Sequence, residues 1–530
     1  MTVAVQLLLW VVALLALSGV GVYLYGRFAR RTMGEPAQAL PVEADATALD
    51  RFVAPQVKTH GGQSGLLLST DSLHAFAVRA TSARMAGRSL DLQYYYWKDD
   101  LTGSLLAAEV LDAADRGVRV RLLLDDINLK GRDAKYLSLS QHKMIEVRVF
   151  NPCWNRVGAL QRGIELVLRA WSATRRMHNK AWIADNRVAI VGGRNIGDPY
   201  FDASEAMNFR DMDLVTIGPV VGQASDIFDL FWNSNCVFPI SAFPRIESGD
   251  LDWLRRQLGE IRASAAAQPY LQRVRESDAV QMLHENRDTV HWTDSASVVS
   301  DPPAKLSGGK RHRWLYKAIF PLVTSATKSL EITSPYFIPG KEGVRQLTRL
   351  VGKGVKVSVL TNSLAATDVA AVHGAYAPYR KRLLRGGVQL YELKPDAKRQ
   401  RMTMFGSGGS GVLGSRGGNG IFGSGGASLH TKAFTVDGVS GFVGSFNFDP
   451  RSVSLNTEMG VMFENEALAQ QLSDTFRQQI SGHAAYQILL RKRRLFWKAG
   501  AAEWDDEPAA TRWRRFVAAL AMMLPVESQL

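Results

Sequence analysis

The chain has 530 residues, of which 64 are Lys or Arg and 50 are Asp or Glu, giving a formal net charge of +14. Hydrophobic residues make up 46% of the chain and charged residues 22%, which excludes a wholly disordered protein. The only two cysteines, Cys153 and Cys236, exclude a disulfide scaffold and a multi-cysteine zinc site. The positive charge favours an anionic partner: a phospholipid surface, a nucleic acid or a phosphorylated substrate.

The first predicted element is an apolar segment of 23 residues, 3–25, that contains no charged residue. A transmembrane helix needs about 20 apolar residues, so this segment predicts a single membrane span. A cleaved signal peptide is the alternative, but the run exceeds a signal core and no basic residue precedes it. Arg27, Arg30 and Arg31 follow the segment, which predicts that the rest of the chain lies in the cytoplasm.

Two repeats of a strand, helix and strand pattern follow, about 240 residues apart. The predicted strands are 89–97, 117–126 and 145–152 in the first repeat, and 329–337, 354–363 and 387–395 in the second. This order predicts an α/β fold in which two homologous domains with parallel-rich sheets pack as a pseudo-twofold pair. The predicted division is a membrane anchor, a linker, a first domain, a helical connector, a second domain and a basic aromatic tail, at 1–26, 27–61, 62–240, 241–310, 311–481 and 482–530.

Each predicted domain ends in a hairpin that carries the pattern H-x-K-x4-D-x6-G-[GS]-x-N. The matching residues are His178, Lys180, Asp185, Gly192, Gly193 and Asn195 in the first copy, and His430, Lys432, Asp437, Gly444, Ser445 and Asn447 in the second. Residues i and i+2 of a strand face the same side, so the His and Lys of each copy project together. One H-x-K pair means little, but two copies that match at six positions indicate a duplicated site.

Two imidazoles, one from each half, favour phosphoryl or phosphatidyl transfer. One can attack phosphorus while the other donates a proton to the leaving oxygen. The two lysines suit the non-bridging oxygens, where charge accumulates. The other candidate phosphate-binding residues are Asn195, Asn447, Gly193 and Ser445.

Carboxylates near the motifs are candidates for two roles. Asp213 and Glu458 follow the first and second motifs and are predicted to orient the histidines. Asp185 and Asp437 are candidate catalytic acids, although their positions at hairpin turns favour a structural role. The Asp, Glu and His clusters of a two-metal phosphoesterase are not evident, so we expect neither a metal nor a cofactor.

Two further segments have a distinctive composition. Residues 406–428 are rich in Gly and Ser and predict a flexible loop, with a lid over the site as a second hypothesis. Near the C-terminus, basic residues at 491–494 and 514–515 lie beside Trp and Phe, which suits an anionic lipid headgroup surface. A solvated basic helix packed on the domain is the alternative for this tail.

The paired motifs resemble those of the phospholipase D superfamily, and the resemblance covers about residues 62–481. DLQYYYWKDD, VGGRNIGDPYF and SLHTKAFTVD further resemble the C branch of bacterial cardiolipin synthases. The resemblance implies a phosphohistidine at His178, with His430 as general acid and then base; the reverse assignment stays open. It also implies transfer of a phosphatidyl group to phosphatidylglycerol, with phosphatidylethanolamine as a second substrate, at a bacterial inner membrane.

Three other functions remain open on the sequence. A phospholipase D hydrolase would use the same residues with water as the acceptor. A nuclease would fit the positive charge, but the predicted anchor and the lack of a recognised nucleic-acid module argue against it. Two intact motifs argue against a non-enzymatic membrane scaffold. We therefore expect an enzyme whose partners are phospholipids and a membrane, with no nucleic acid.

Overall fold

The fold is seen in a computed structural model of the chain. It describes residues 3–28, 34–129, 131–156, 163–165, 169, 174–243, 250–278, 280, 289–309, 311–395 and 426–523. Most of the Gly/Ser-rich segment, 406–425, lies outside the described residues, and so does the hypothesis that it forms a lid.

Helices of five to 26 residues alternate with short strands along the described chain. The α-helices are α1 (Val3–Phe28), α2 (Ala48–Thr59), α3 (Ser72–Met85), α4 (Leu101–Asp115), α5 (Asp133–Leu139), α6 (Val220–Trp232), α7 (Leu251–Ala263), α8 (Ala267–Glu276), α9 (Tyr316–Thr324), α10 (Gly340–Gly352), α11 (Ala370–Arg385), α12 (Pro450–Ser454), α13 (Glu466–Gln479) and α14 (Arg512–Met523).

The strands fall into two large sheets and one two-stranded ribbon. They are β1 (Ser64–Ser69), β2 (Ser89–Tyr94), β3 (Arg119–Asp125), β4 (Ile145–Phe150), β5 (Ala181–Ala184), β6 (Val188–Gly192), β7 (Met207–Arg210), β8 (Asp213–Ile217), β9 (Val237–Pro239), β10 (His291–Thr293), β11 (Ala296–Ser300), β12 (Ser329–Thr333), β13 (Lys356–Asn362), β14 (Gln389–Leu393), β15 (Gly426–Leu429), β16 (Ala433–Val436), β17 (Ser440–Gly444), β18 (Met459–Glu464), β19 (Ala485–Arg491), β20 (Arg494–Ala499) and β21 (Ala502–Trp504).

The two large sheets share one topology, which confirms the predicted α/β repeat. Within the described residues the first has the order β10-β1-β8-β6-β5-β2-β3-β4-β9, and the second the order β11-β18-β17-β16-β12-β13-β14-β19-β20-β21. The three central strands of each sheet, β2-β3-β4 and β12-β13-β14, run parallel, and the motif hairpin pairs antiparallel beside them. Each sheet is therefore mixed, with its parallel part where the sequence predicted it.

The region between the repeats is only partly the helical connector that we predicted. It contains α7 and α8, but residues 291–300 form two strands. Strand β10 joins the edge of the first sheet by pairing with β1, and β11 joins the edge of the second by pairing with β18. The connector therefore contributes one strand to each sheet. The C-terminal tail likewise extends the second sheet with β19 to β21 before it ends in α14.

A single apolar core joins the two halves. Phe228 of α6 and Ile183 of β5 belong to the first half, and they share one buried cluster with Val298, Val443 and Met459 of the second. Each of these side chains is at most 6% exposed. Burial of apolar surface is the main favourable contribution to such packing. The shared core therefore fixes how the two motif hairpins face each other.

Helix α1 contains the apolar segment 3–25, although several of its side chains lie outside the described residues. In the described part of the chain, no helix was found that is both long enough and apolar enough to cross a membrane. The predicted transmembrane span is therefore not confirmed.

The motif aspartates Asp185 and Asp437 lie at the hairpin turns, in the left-handed region with φ of 53° and 56°. The carboxylate of Asp185 accepts hydrogen bonds from the backbone N–H groups of Gly87, Arg88 and Ser89 at 2.7–3.2 Å. Asp437 accepts the equivalent three from residues 327–329. Each turn is thereby tied to the start of the neighbouring parallel strand.

This placement contradicts the predicted catalytic role of the two aspartates. Each lies five residues beyond its motif lysine along an extended strand, which is about 16 Å at 3.3 Å per residue. Each carboxylate is also held by three backbone N–H groups, and that of Asp437 accepts from the Thr327 hydroxyl as well. The alternative that we raised from the turn positions, a structural role, is the one that the geometry supports.

We predict that Asp185→Ala lowers the free energy of unfolding by about 2 kcal/mol, because three N–H groups, of which that of Ser89 is buried, lose their acceptor. Thermal unfolding followed by circular dichroism measures the change. Asp474→Ala, which removes an exposed ion pair with Arg477, is the matched control and should cost at most about 0.5 kcal/mol. Equal melting curves for the two variants would contradict the structural role.

Candidate active site

The two motif histidines lie at the boundary between the halves, each anchored on the opposite half. The backbone N–H of His178 donates to the carbonyl of Thr457 at 2.8 Å, and that of His430 donates to the carbonyl of Arg210 at 2.8 Å. The second contact extends the parallel pairing of β15 with β7, and the first continues a parallel bridge between Met177 and Thr457. The same arrangement thus occurs twice, related by the pseudo-twofold axis.

Each histidine is paired with a carboxylate from the other half. His178 Nδ1 lies 2.7 Å from Oε2 of Glu458, and His430 Nδ1 lies 2.5 Å from Oδ2 of Asp211. Both carboxylates are completely buried, while the imidazoles keep 12% and 10% of their side-chain surface exposed. Within the described part of the chain, Nε2 of neither ring makes a hydrogen bond. Nε2 is therefore the nitrogen of each ring that is left without a partner among the described residues.

The predicted contact between Asp213 and a histidine is absent, and Asp211 takes its place. Asp213 is buried and forms ion pairs with Arg79 at 2.9 Å and Arg194 at 3.3 Å. Residues 211 and 213 flank Met212 at the i, i+2 spacing of an extended segment. Only the side chain of Asp211 reaches His430.

The sheet register explains why the sequence analysis chose Asp213, which lies two residues after the acid that contacts His430. In the first half Gly192 pairs with Asp213, and in the second half Gly444 pairs with Gly460. Asp213 is therefore the counterpart of Gly460, and Asp211 is the counterpart of Glu458. The sequence did hold the signal, since a methionine follows both acids, at 212 and 459. Aligning these methionines would have identified Asp211.

The two motif lysines are buried beside their histidines. Lys180 Nζ donates to the carbonyl of His178 at 2.6 Å. Lys432 Nζ donates to the carbonyl of His430 and lies 3.0 Å from its Nδ1. The i, i+2 spacing therefore brings each lysine and histidine together, as the strand geometry predicted.

Gly193 and Ser445 occupy equivalent positions but do not offer donors to a substrate. Their backbone N–H groups donate to Met212 and Met459 across the hairpin strands. The Ser445 hydroxyl donates to Oε2 of Glu458 at 2.5 Å, while a Cβ on Gly193 would overlap the carboxylate of Asp211. These two positions thus hold the acids in place, which corrects their predicted contact with phosphate.

The two motif asparagines differ in their surroundings. Both polar atoms of the Asn195 side chain already have hydrogen-bond partners. Its Oδ1 accepts from the N–H of Tyr96, and its Nδ2 donates to the hydroxyl of Tyr200. Asn447 is 4% exposed, and among the described residues its Oδ1 has no hydrogen-bond partner. Of the two predicted phosphate-binding asparagines, Asn447 is the one whose amide remains available.

Aromatic rings that the motif does not predict enclose both imidazoles. Tyr95 meets His178 edge to face with ring centroids 5.2 Å apart, and Tyr200 meets His430 in the same way at 5.3 Å. Phe209 lies 4.9 Å from His430. Strand packing explains Tyr94, whose ring is fully buried, but its neighbour Tyr95 belongs to the site.

Burial shifts the protonation of every basic group in the site. Desolvation lowers the pKa of His178 to about 4 and that of His430 to about 3, against the opposing effect of each paired carboxylate. Desolvation also lowers the pKa of Lys180 to about 7 and lowers that of Lys432. An anion bound among these groups would restore their positive charge.

Burial has the opposite effect on the pKa values of the two acids, Asp211 and Glu458. Burial by itself raises the pKa of Asp211 and Glu458, but the adjacent histidine and lysines outweigh it and hold both values below the usual range. Two carboxylates therefore stay ionised beneath two imidazoles. This arrangement fixes Nδ1 as the protonated nitrogen and leaves a lone pair on Nε2, which suits nucleophilic attack.

One cluster away from the histidines could in principle hold a metal ion. Within the described residues, ligand atoms of His373, Glu392 and Glu507 lie within 4.8 Å of one another. The guanidinium of Arg380 already bridges the two glutamates, at 3.3 and 2.7 Å. A buried arginine with a raised pKa supplies the positive charge there, so the cluster is an ion-pair network.

Comparison with known proteins agrees with this architecture. The sequence profile of a family described as "Cardiolipin synthase, PLD-like domain" matches the chain twice, at residues 81–232 and 319–480. The chain is 43% identical to cardiolipin synthase C of Escherichia coli strain K12 over 481 residues, which is 90% of this chain and 98% of that protein. It is 25% identical to a cardiolipin synthase of Halalkalibacterium halodurans over 407 residues, 76% of this chain and 64% of that protein.

A solved structure shows the same fold. The crystal structure of phosphatidylserine synthase from Haemophilus influenzae Rd KW20 superposes with a TM-score of 0.56, covering 89% of this chain and 98% of that one. The two are 13% identical, so the likeness concerns the fold alone. The repeated profile match and this superposition confirm two phospholipase D-like α/β domains.

We predict that the free energy of unfolding falls as the pH drops below about 6.5. The folded histidines have pKa values of about 4 and 3, below the ordinary value of 6.5, so the unfolded chain binds more protons across this range. The lowered pKa values of Asp211 and Glu458 act in the same direction below about pH 4.5. Denaturant unfolding at a series of pH values measures the slope.

A double variant, His178→Ala with His430→Ala, should show a smaller slope between pH 4 and 6.5. His312→Ala, which removes an exposed histidine, should leave the slope as it is in the unsubstituted protein. An unchanged slope in the double variant would contradict the burial of neutral imidazoles.

Proposed function

Because this chain belongs to the phospholipase D-like cardiolipin synthase family, we propose that it transfers a phosphatidyl group from one phospholipid to phosphatidylglycerol and so makes cardiolipin. The observation that carries the proposal is the crossed pair of dyads, His178 with Glu458 and His430 with Asp211. Two imidazoles with oriented Nε2 atoms, flanked by two buried lysines, suit the two-step displacement of an alcohol from a phosphodiester.

In the first step, Nε2 of His178 attacks the phosphorus of the donor lipid. The bond from phosphorus to the headgroup oxygen breaks as a nitrogen–phosphorus bond forms, and the protonated Nε2 of His430 gives its proton to the leaving oxygen. In the second step, His430 takes the proton from a hydroxyl of phosphatidylglycerol. That oxygen attacks phosphorus, the nitrogen–phosphorus bond breaks, and both histidines return to their starting states.

Substrate charge explains how His430 can act as an acid despite its low pKa. A phosphodiester carries one negative charge, and in the buried site it would lie among four basic groups. An adjacent negative charge raises the pKa of an imidazole and of an ammonium group. Binding of the donor therefore favours protonation of His430 and of both lysines. Lys180 and Lys432 are then the donors placed to stabilise the charge on the non-bridging oxygens.

We further propose that residues 3–25 hold the enzyme at the bacterial inner membrane, with the two domains in the cytoplasm. The uncharged apolar run followed by Arg27, Arg30 and Arg31 supports this topology. Both substrates reside in a bilayer, so a tether would keep the site close to them. Phosphatidylethanolamine is the proposed donor beside phosphatidylglycerol.

A lipid product assay tests the proposed reaction. The purified full chain is given phosphatidylglycerol with and without phosphatidylethanolamine, in the presence of a chelator, and mass spectrometry identifies the products. We expect cardiolipin whenever phosphatidylglycerol is present, and more of it with phosphatidylethanolamine. Phosphatidic acid as the only product would identify a hydrolase that uses the same site with water as acceptor.

His178→Ala and His430→Ala should each abolish cardiolipin formation. The first variant lacks the group that attacks phosphorus, and the second lacks the group that transfers the proton. His312→Ala serves as the exposed control and should retain full activity. With a labelled p-nitrophenyl phosphatidyl ester, whose leaving group needs no proton, and an acid-free quench, His430→Ala is expected to accumulate a peptide that carries the phosphatidyl group on His178. Label at residue 430 in His178→Ala would reverse the assignment of the nucleophile.

Neutralising either acid should lower turnover without removing the nucleophile. We expect Glu458→Gln and Asp211→Asn each to reduce kcat on the order of 100-fold, because the imidazole loses the charge that orients and stabilises it. Glu466→Gln, an exposed substitution in α13, is the matched control. Asp213→Asn should reduce thermal stability more than it reduces kcat, because Asp213 pairs with buried arginines. The opposite ranking of Asp211 and Asp213 would contradict the crossed dyads.

A further inference from the structure

Helix α14 exposes a continuous apolar stripe at the C-terminal end of the described chain. Trp513, Phe516, Leu520 and Met523 follow each other at spacings of three, four and three residues, which places them on one face of the helix. Between 47% and 81% of each residue is exposed. The rings of Trp513 and Phe516 stack with centroids 5.5 Å apart. These four side chains form one apolar row along the exposed surface of the helix.

The opposite face of α14 is fixed firmly to the second domain. Ala518 and Ala521 are buried, and a Cβ on Gly374 of α11 would overlap the carbonyl oxygen of Ala518. The two helices therefore pack with their backbones in close approach. Arg514 donates to the carbonyls of Leu364 and Thr367, which anchors the start of the helix. The stripe cannot turn inward without breaking these contacts.

The segment that α14 holds leads directly to the active site. Asp368 follows Thr367, and its carboxylate accepts from the hydroxyl of Tyr336 at 2.8 and 2.9 Å. The negative charge of Asp368 opposes the lowering of the pKa of buried Lys432. It also contributes to the raised pKa of Tyr200, the ring that packs against His430. One short loop therefore separates the exposed stripe from the groups that surround the second histidine.

We propose that this face of α14 docks into the interfacial layer of an anionic phospholipid bilayer and presents the active site to lipid substrates. Trp, Phe, Leu and Met on one face, with Arg512 exposed beside them, is the composition of a helix that lies in a membrane interface. The net charge of +14 adds attraction to anionic headgroups. The docking proposal rests on the proposed function, since it assumes that the substrates are membrane lipids.

The size of the stripe favours a lipid surface over a second copy of the chain. A helix of 12 residues is about 18 Å long, and with a width of about 10 Å its exposed face covers about 180 Å². A stable protein interface buries about 800 Å² on each partner. Four apolar side chains in a row are therefore too few for a dimer, whereas insertion into a bilayer needs no complementary surface.

Depth-dependent fluorescence quenching tests the docking without requiring turnover. A polarity-sensitive dye is attached to Phe516→Cys in the full chain, reconstituted in vesicles of phosphatidylglycerol and phosphatidylethanolamine that contain a spin-labelled lipid. Cys153 is buried, and burial raises the pKa of the Cys236 thiol to about 11, so the new thiol reacts first. Trp253→Cys, on α7 of the first half and 44% exposed, is the matched control.

We expect the dye at 516 to be quenched by the spin-labelled lipid and the dye at 253 to remain unquenched. Leu520→Cys provides a second position on the same stripe if the first labelled protein does not fold. Equal quenching at 516 and 253 would overturn the proposal. An unquenched dye at 516 together with a dimer in light scattering would assign the stripe to a second copy, and would overturn it as well.

Turnover provides an independent readout. The double variant Phe516→Glu with Leu520→Glu should process lipid in vesicles about tenfold more slowly than the unsubstituted chain, because two charges oppose insertion. Turnover of a short-chain phosphatidylglycerol below its micelle concentration should be unchanged. Equal loss on both substrates would contradict docking. If the unsubstituted chain turned over neither substrate, the proposed function would fail while the quenching result would still decide the docking.

Discussion

The exchange of acids between the two halves is the constraint on which the rest of the structure depends. Glu458 comes from the second half and meets His178 of the first, while Asp211 comes from the first half and meets His430 of the second. Neither half can assemble a complete dyad by itself. The shared apolar core, the paired edge strands of the connector and the parallel contact of β15 with β7 all hold the halves in the one relation that completes both dyads.

Burial gives these dyads their chemical character. Two histidines and two lysines lie in a desolvated space with two ionised carboxylates, so the basic groups bind protons weakly until an anion arrives. In the reaction that we propose, a phosphodiester supplies that anion, and its charge then favours the protonated forms that stabilise a developing negative oxygen. The proposed reaction therefore couples substrate binding to the protonation of its acid and base groups.

The second half also links the surface of the protein to its site. Helix α14 packs closely on α11, holds the loop that ends at Asp368, and turns a row of large apolar side chains outward. The motif aspartates serve a comparable purpose at the other end of each hairpin, where they tie the turn to the start of a parallel strand. The site therefore lies between the hairpin turns that the motif aspartates hold and the loop that α14 holds near the surface.

The repeat, the α/β class and the six central strands followed from the sequence, because strand periodicity and turn residues are local signals. The pairing of each His with its Lys followed for the same reason, since residues i and i+2 share a face. The strands at 291–300 did not follow, because they are short, and their partners lie at distant positions in the chain.

The sequence analysis named Glu458 as an acid beside a histidine, but the choice between Asp211 and Asp213 and the use of the second glycine or serine became clear only in the tertiary structure. Asp211 and Asp213 are two aspartates two residues apart, and the sheet register and the arginines beside Asp213 separate their roles. Gly193 and Ser445 resemble phosphate-binding positions in sequence, yet one makes room for an acid and the other donates to one. Which charged groups face each other across an interface depends on how two halves pack, and no local pattern in the chain records that.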